Sequence, residues 1–248
     1  MELCDFIVPG TGVVDSIGIG PLRIKIAPLA YRKLGKQTDS AMITSMRMAG
    51  IGDCNQTKKK LLCELRAYVA DHGPVSATGH SQGGFQALRM FVEEPDLFTE
   101  LVAFEAPVLG STPALAGSWF APGFSAMTPG SKAVKDLYCG LSQLGFAERK
   151  RLHLYATANG IFVLPHTAAL CNLEGIDNVW VGQNHPFKVR TYSRHIKTTR
   201  RIGHLGMIWR EEVLSDMRMI FETSMWPNIR TLIPQQKNQP PSHLRASS

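Results

Sequence analysis

The chain has 248 residues, of which 44% are hydrophobic and 19% are charged, and its formal net charge is +7 with neutral histidines. This composition excludes an intrinsically disordered chain, and the length suffices for one domain with a large buried core. No apolar run reaches the roughly 18 residues that a membrane-spanning helix needs. Because Phe6 follows Met1 so closely, no signal peptide fits the sequence as written. We therefore expect a cytoplasmic protein, or a secreted one if the sequence is a trimmed mature form.

The basic excess lies mainly in two clusters, residues 58–60 and residues 188–201, and no acidic residue occurs from 178 to 210. Neither cluster matches a nucleic-acid-binding motif or contains interleaved aromatic residues, so we expect solvated surface charge and no nucleic-acid partner. The five cysteines show no metal-ligand spacing, and their odd number leaves at least one thiol unpaired within the chain.

Apolar runs and turn residues alternate along the chain. They predict strands at residues 4–8, 41–48, 75–78, 101–104, 153–158 and 179–182. They predict helices at residues 28–34, after a cap at Asp53 or Asn55, at about 83–94 and at 211–222. This alternation predicts an α/β fold with a mostly parallel sheet and helices on both faces. We expect one domain over residues 1–232 and a disordered tail over residues 233–248, which are rich in Gln, Pro and Ser.

Residues 106–131 form a stretch without any charge, which contains Trp119, Phe120 and Phe124. The stretch leaves the carboxyl end of a predicted strand, which is where α/β proteins bind ligands. We therefore predict a small cap insertion at about residues 106–150, with these three aromatic side chains lining an apolar substrate pocket. A buried loop is the alternative.

Residues 79–84 read Gly-His-Ser-Gln-Gly-Gly and fit the pattern G-x-S-x-G between a predicted strand and a predicted helix. In this motif a sharp turn exposes the serine hydroxyl above the sheet, and the next amide points toward a developing oxyanion. The motif predicts Ser81 as a nucleophile and the Gln82 N–H as an oxyanion-hole donor. A second donor belongs in the turn after the first strand, where Thr11 stands between two glycines.

Several of these motifs together resemble the α/β-hydrolase lipases, in particular the class 2 microbial triacylglycerol lipases and the fungal lipase B type. The resemblance spans roughly residues 5–210. Its motifs are the Ile-Val-Pro-Gly-Thr-Gly of residues 7–12, residues 79–84 and 101–104, Leu154-Tyr155 and Pro165. It implies the α/β-hydrolase fold and an ester hydrolase with a Ser-His-acid triad, in which Ser81 is the nucleophile and Thr11 and Gln82 are the oxyanion donors.

The chain has eight histidines that compete for the role of general base. His204 follows the last predicted strand and precedes the last predicted helix, where this fold places its base in the chain order Ser, acid, His. His185 and His195 are the alternatives. His80 lies beside Ser81 in the turn, so we expect its side chain to point away from the serine hydroxyl.

The triad acid is where the sequence departs from the resemblance, which places an aspartate four residues beyond Tyr155, at the position of Asn159. An amide can orient the imidazole but brings no charge to stabilise imidazolium. Two alternatives are open: the triad is weakened by Asn159, or Glu105 at the end of predicted strand 101–104 supplies the acid or shares the role. Asp177 is a poorer third candidate, because it precedes its strand and so lies at the opposite edge of the sheet.

These features predict a serine carboxylic-ester hydrolase that acts on apolar acyl esters, with a small-molecule or lipid ester as its partner and without a metal or cofactor. The alternative is a catalytically impaired or non-catalytic protein of the same fold that binds a hydrophobic ligand. We expect the basic residues 188–201 to lie between the last strand and His204, on the rim of the site. There they would attract anionic interfaces or acidic esters.

Overall fold

The computed structural model describes residues 6–8, 17–19, 22–24, 42–43, 53–119, 122–183, 192–204 and 206–224. The predicted helix 28–34, most of the predicted strand 41–48 and the predicted tail 233–248 lie outside these residues. In the described part of the chain, no helix is both long enough and apolar enough to cross a membrane.

The centre of the fold is a seven-stranded sheet in which every neighbouring pair of strands is parallel. The strands of the described residues are β1 (Phe6–Val8), β2 (Ile17–Ile19), β3 (Leu22–Ile24), β4 (Met42–Ile43), β5 (Val75–His80), β6 (Phe98–Phe104), β7 (Leu152–Thr157), β8 (Asp177–Gly182) and β9 (Arg194–Lys197). Strands β2 and β3 form a separate antiparallel ribbon. The sheet order is β4-β1-β5-β6-β7-β8-β9, which confirms the predicted parallel sheet.

The helices of the described residues connect these strands. They are α1 (Cys54–His72), α2 (Gln82–Glu93), α3 (Pro113–Gly117), α4 (Pro122–Ser125), α5 (Lys132–Gln143), α6 (Phe146–Arg149) and α7 (Glu211–Thr223). The α1 helix begins after Asp53, whose side chain accepts hydrogen bonds from the backbone N–H groups of Asn55 and Gln56. These bonds satisfy two of the N–H groups that a helix leaves unpaired at its start. Of the two predicted caps, Asp53 is therefore the one that fits.

Two hydrophobic cores lie on opposite faces of the sheet, because successive side chains of a strand point to opposite faces. From β6, Leu101 and Ala103 pack into the core that holds the apolar residues of α1 and α2. Val102 and Phe104 pack into the other core, which holds those of α7. The predicted placement of helices on both faces is confirmed.

Strand β9 (Arg194–Lys197) corrects one expectation, because it lies inside the basic segment 188–201. This segment therefore does not run as a simple connection from the last strand to the His204 loop. The four residues of β9 are either partly buried or exposed, and Ile196 is the one apolar residue among them. An edge strand of this kind lacks the apolar run from which a buried strand is predicted. Nor is Arg194 an unpaired surface charge on the rim of the site, because it forms ion pairs with Asp177 and Asp216.

The crossing of β5 and α2 depends on glycines that let the two backbones touch. A Cβ atom at Gly79 would lie 2.6 Å from Gly84 Cα and 3.0 Å from Gly83 O. Because these are backbone atoms, we expect Gly79→Ala to lower the free energy of unfolding by about 1–3 kcal/mol, as overpacking does elsewhere. Urea denaturation measures this. Gly145→Ala is the control, since its Cβ would meet only the mobile end of Glu148, and an equal loss in both variants would contradict the prediction.

Candidate active site

Ser81 stands at the sharp turn between β5 and α2, with φ 55° and ψ −126°. A positive φ is unfavourable for a residue with a Cβ atom and persists only where the surrounding structure enforces it. Two backbone hydrogen bonds do so here: Ser81 N–H donates to Phe104 O at 2.8 Å, and Ser81 O accepts from Phe85 N–H at 3.0 Å. The turn therefore holds the half-buried Ser81 at the carboxyl edge of the sheet.

Glu105 occupies the equivalent place at the end of the neighbouring strand β6 and also has a positive φ, of 47°. Its N–H donates to Tyr155 O at 2.8 Å, and its side chain is fully buried. Among the described residues, Ser81 and Glu105 are the two non-glycine residues with a positive φ. Strained backbone is concentrated at functional sites, so the two strand ends together mark a candidate site.

The Glu105 carboxylate meets the ring of His204, which is only 7% exposed. His204 Nδ1 lies 3.2 Å from Glu105 Oε2, while Glu105 Oε1 accepts a hydrogen bond from Thr157 N–H at 2.6 Å. Gly160 lies so close that a Cβ atom there would overlap Glu105 Oε2. The carboxylate is thus held on one side by a backbone amide and faces an imidazole on the other.

His80 fixes the backbone of His204. His80 Nε2 donates to His204 O at 3.0 Å, and the two ring centroids lie 4.5 Å apart. Burial lowers the pKa of His80 to about 3, so its ring is neutral at physiological pH and carries its proton on Nε2. His80 therefore packs beneath the His204 ring rather than acting beside Ser81.

Phe162 is a residue of the site that the sequence did not single out. Its ring centroid lies 5.2 Å from that of His204, and its carbonyl accepts a hydrogen bond from Ser111 Oγ at 2.6 Å. The side chain is 56% exposed, so it forms an apolar surface at the mouth of the site. An aromatic residue in a loop after a strand gives no sequence signal by itself, and only the fold brings it to His204.

Burial shifts the pKa values of both partners away from the charged forms. It raises the pKa of Glu105 to about 8, although the Thr157 N–H and the charge of His166 act in the opposite direction. It lowers the pKa of His204 to about 4, so the imidazole is neutral near pH 7. A neutral imidazole is the form that can accept a proton, and Glu105 becomes fully ionised only above about pH 8.

The structure separates the candidates for the acid. Glu105 contacts the His204 ring, whereas Asn159 lies half-buried in the loop after β7, where its backbone N–H is 3.5 Å from Thr157 Oγ1. Asp177, at the start of β8, bonds His153 at the opposite edge of the sheet, as expected from its position before the strand.

The remaining predicted site residues fall in three places. His195 lies on β9, where its Nε2 donates to Gly182 O at 3.1 Å. Thr11, Phe120 and His185 lie outside the described residues. Gln82, whose backbone N–H is the predicted oxyanion donor, is the first residue of α2 and is buried.

The uncharged segment is partly core and partly surface. Ala106, Val108 and Ala114 are buried in the main core. Trp119 is 88% exposed, and Phe124 packs against Gly117, where a Cβ atom would lie 2.8 Å from the ring. The segment thus begins in the core and continues into the short helices α3 and α4. Lining of a substrate pocket by these aromatic residues stays a prediction.

Within the described ranges, no group of three or more His, Cys, Asp or Glu side chains is arranged to hold a metal ion.

Comparisons with known proteins place this architecture in a fold class. No family model matches the chain, and no curated protein sequence does. Among solved structures, lipase B of Aspergillus fumigatus is similar with a TM-score of 0.61 and 13% identity, over 88% of this chain and 52% of that one. The chain thus spans about half the length of that lipase.

Two further structures match over nearly their whole length. A metagenome-derived lipolytic enzyme of the LipS and LipT pair has a TM-score of 0.51 and 14% identity, over 88% of this chain and 93% of that one. A hydrolase from Pseudomonas aeruginosa has a TM-score of 0.50 and 12% identity, over 89% of this chain and 90% of that one. With the parallel sheet and the serine turn, these likenesses show that the chain has the α/β-hydrolase fold. The fold expected from the resemblance is confirmed.

Proposed function

We propose that the chain is a serine carboxylic-ester hydrolase in which Ser81 is the nucleophile, His204 the general base and Glu105 the acid. The observation that carries this proposal is the 3.2 Å contact between His204 Nδ1 and Glu105 Oε2, at the sheet edge where Ser81 stands on its strained turn. The solved structures of the same fold include a lipase and a lipolytic enzyme, which supports an ester as the substrate.

In the proposed reaction His204 Nε2 takes the proton from Ser81 Oγ as this oxygen attacks the ester carbonyl carbon. The Gln82 N–H stabilises the resulting oxyanion, and Thr11 is the proposed second donor. The imidazolium then gives its proton to the departing alkoxide, leaving an acyl-serine that water hydrolyses by the same steps. Within the described residues no hydrogen bond joins Ser81 Oγ to His204, so the two side chains must close to bonding distance when substrate binds.

Glu105 holds the His204 ring in the required tautomer. When ionised, its Oε2 accepts the Nδ1 proton, which leaves the Nε2 lone pair free to act as the base. It also stabilises the imidazolium that forms during the reaction. If Glu105 fills this role, Asn159 need not supply the acid, which supports the hydrolase over a non-catalytic protein. The apolar surface of Phe162 beside His204 favours an apolar acyl group.

A fluorophosphonate probe tests the proposed nucleophile, because only an activated serine reacts rapidly with it. We expect rapid labelling of the native protein at pH 8.5, where Glu105 is ionised, and no labelling of Ser81→Ala. Ser142→Ala, which changes an exposed serine on α5, is the matched control and should label as the native protein does. Failure of the native protein to label would instead support a non-catalytic protein that binds a hydrophobic ligand.

A further inference from the structure

A second feature of the carboxyl edge is a pocket of about 290 Å³. It lies between the loop after β7, the end of β8 and the segment that follows β9. The described residues that line it are Ala158, Asn159, Gln183 and Arg201. None of them is used in the proposed ester chemistry, so the pocket needs a separate explanation.

Among its described lining residues, the pocket presents positive charge and hydrogen-bond donors and no acidic side chain. Arg201 is exposed and forms no ion pair or hydrogen bond with another described residue, and Asn159 contributes a neutral amide with two further donors. Gln183 Nε2 donates to Thr199 O at 3.0 Å, which anchors that wall. The sequence has no Asp or Glu from residue 178 to residue 210, so this whole stretch can supply no carboxylate to Arg201.

The pocket shares a wall with the proposed triad. Asn159 precedes Gly160, the residue against which the Glu105 carboxylate packs. The backbone oxygen of Asn159 also lies 3.8 Å from the position of a Cβ atom on Gly203, which precedes His204. Residues 159, 160 and 203 therefore form the wall between the pocket and the proposed acid and base, so a molecule long enough to pass this wall would reach from Arg201 to an ester carbonyl at Ser81.

We propose that this pocket binds an anionic oxygen group, a carboxylate or phosphate, carried by the ester substrate, with Arg201 as the charged contact and Asn159 as a neutral donor. This inference rests on the proposed ester hydrolysis. A guanidinium binds such groups through two parallel hydrogen bonds, which gives orientation as well as affinity. An aspartate at position 159 would place a second anion in the same pocket as Arg201 and repel an anionic ligand, whereas asparagine adds a neutral donor.

Matched pairs of charged and neutral esters test the substrate preference in a pH-stat. One series has the anion on the acyl side: monomethyl esters of dicarboxylic acids from succinate to suberate, each against the fatty-acid methyl ester of equal length. The other has it on the alcohol side: acetates of ω-hydroxy acids against the corresponding alkyl acetates. We expect one charged ester to exceed its neutral partner about tenfold in kcat/KM at low ionic strength, since hydrogen bonds to charged groups have this magnitude. The preference should shrink in high salt.

Single substitutions test whether the preference for charged esters arises from this pocket. Arg201→Gln and Asn159→Asp should each bring the ratio of charged to neutral kcat/KM close to one. Arg200→Gln, which removes an exposed neighbouring charge that does not line the pocket, should keep the native ratio. Equal ratios in Arg201→Gln and the native protein, or no charged preference in either series while neutral esters are hydrolysed, would overturn the inference and leave the proposed hydrolase in place.

Binding of inorganic phosphate provides a readout that does not depend on turnover. We expect isothermal titration calorimetry at low ionic strength to show phosphate binding to the native protein and to Arg200→Gln but not to Arg201→Gln. If no ester of either kind is hydrolysed, the proposed function fails, and this titration still tests the pocket. Equal heats in all three proteins, or none in any, would count against an anion site at Arg201.

Discussion

Glu105→Gln should lower kcat for ester hydrolysis by about 10⁴-fold, the size of effect seen when a triad carboxylate elsewhere becomes an amide. The amide keeps the shape of the side chain and can still accept the Thr157 N–H. It brings no negative charge to stabilise the His204 imidazolium, and with its NH₂ toward Nδ1 it favours the tautomer that cannot accept the Ser81 proton. Steady-state rates with a p-nitrophenyl ester measure the loss.

The pH profile of ester hydrolysis distinguishes a role of Glu105 as the triad acid from a purely structural role. Burial raises the pKa of Glu105 to about 8, so below this pH the carboxyl keeps its proton and can donate it to His204 Nδ1, which leaves the wrong ring nitrogen protonated. Native activity should therefore rise with pH and level off above about 8. In Glu105→Gln this rise should be absent, because burial lowers the pKa of His204 to about 4 and the ring stays neutral throughout that range.

Two variants serve as controls for the Glu105 prediction. Glu174→Gln makes the same chemical change at an exposed position outside the site and should leave kcat and the pH profile as they are in the native protein. Asn159→Asp should not raise kcat, because Glu105 already contacts the ring. Unchanged activity in Glu105→Gln, together with a large gain in Asn159→Asp, would assign the acid to the loop after β7 and show the native triad to be impaired.

The sequence predicts those parts of the fold that short-range patterns determine. Strands β5 to β8 are short segments rich in apolar and β-branched residues, and the turn at Ser81 is marked by glycines whose small size the crossing of β5 and α2 requires. Strand β9 was missed because an edge strand with one apolar residue has no such run. Strand β6 begins three residues earlier than predicted, because Phe98 and Glu100 pair with Val75 and Ser76 of β5, across a local shift in register.

The contact between Glu105 and His204 could not be predicted from the sequence, because it depends on how three separate segments meet. Glu105 reaches His204 only because its backbone adopts a positive φ and because Gly160 leaves room for the carboxylate. Asn159 stands at the position that the resemblance assigns, yet the loop directs it to a pocket with Arg201. Neither the strain at Glu105 nor the approach of Gly160 leaves a pattern in residue type or spacing.

The opposite edge of the sheet contains a network of charged side chains that ties four strands and the last helix together. His153 on β7 lies between two carboxylates, with Nδ1 3.0 Å from Asp177 Oδ2 and Nε2 3.1 Å from Glu100 Oε2. Arg194 bonds Asp177 and continues to Asp216 on α7, which also accepts the Tyr155 hydroxyl. Because both ring nitrogens face carboxylates, His153 satisfies them best as the imidazolium.

His153→Leu should lower the free energy of unfolding by about 3–5 kcal/mol, which is the cost of leaving a buried charge without its partner. Leucine has a similar volume, so the loss comes from the carboxylates rather than from a cavity, and mainly from Glu100, because Asp177 keeps its ion pair with Arg194. The side chains of Glu100 and Asp177 are only 10% and 21% exposed, and water can solvate them little. Urea denaturation at pH 6 measures the difference, and His72→Leu, at an exposed helix end, is the matched control.

The loss of unfolding free energy in His153→Leu should also depend on pH, in a direction set by the raised pKa of His153. Burial alone would lower the pKa of His153, but its hydrogen bonds to Asp177 and Glu100 outweigh burial and raise the pKa above the ordinary 6.5. Folding therefore favours the protonated ring of His153. The stability that this preference contributes is fully present below about pH 6.5 and is lost as the pH rises through the pKa of His153 in the folded protein. The difference between native protein and His153→Leu should be larger at pH 6 than at pH 9. A difference that stays constant over this range would mean that His153 is held as a neutral ring, with one carboxyl group protonated in its place.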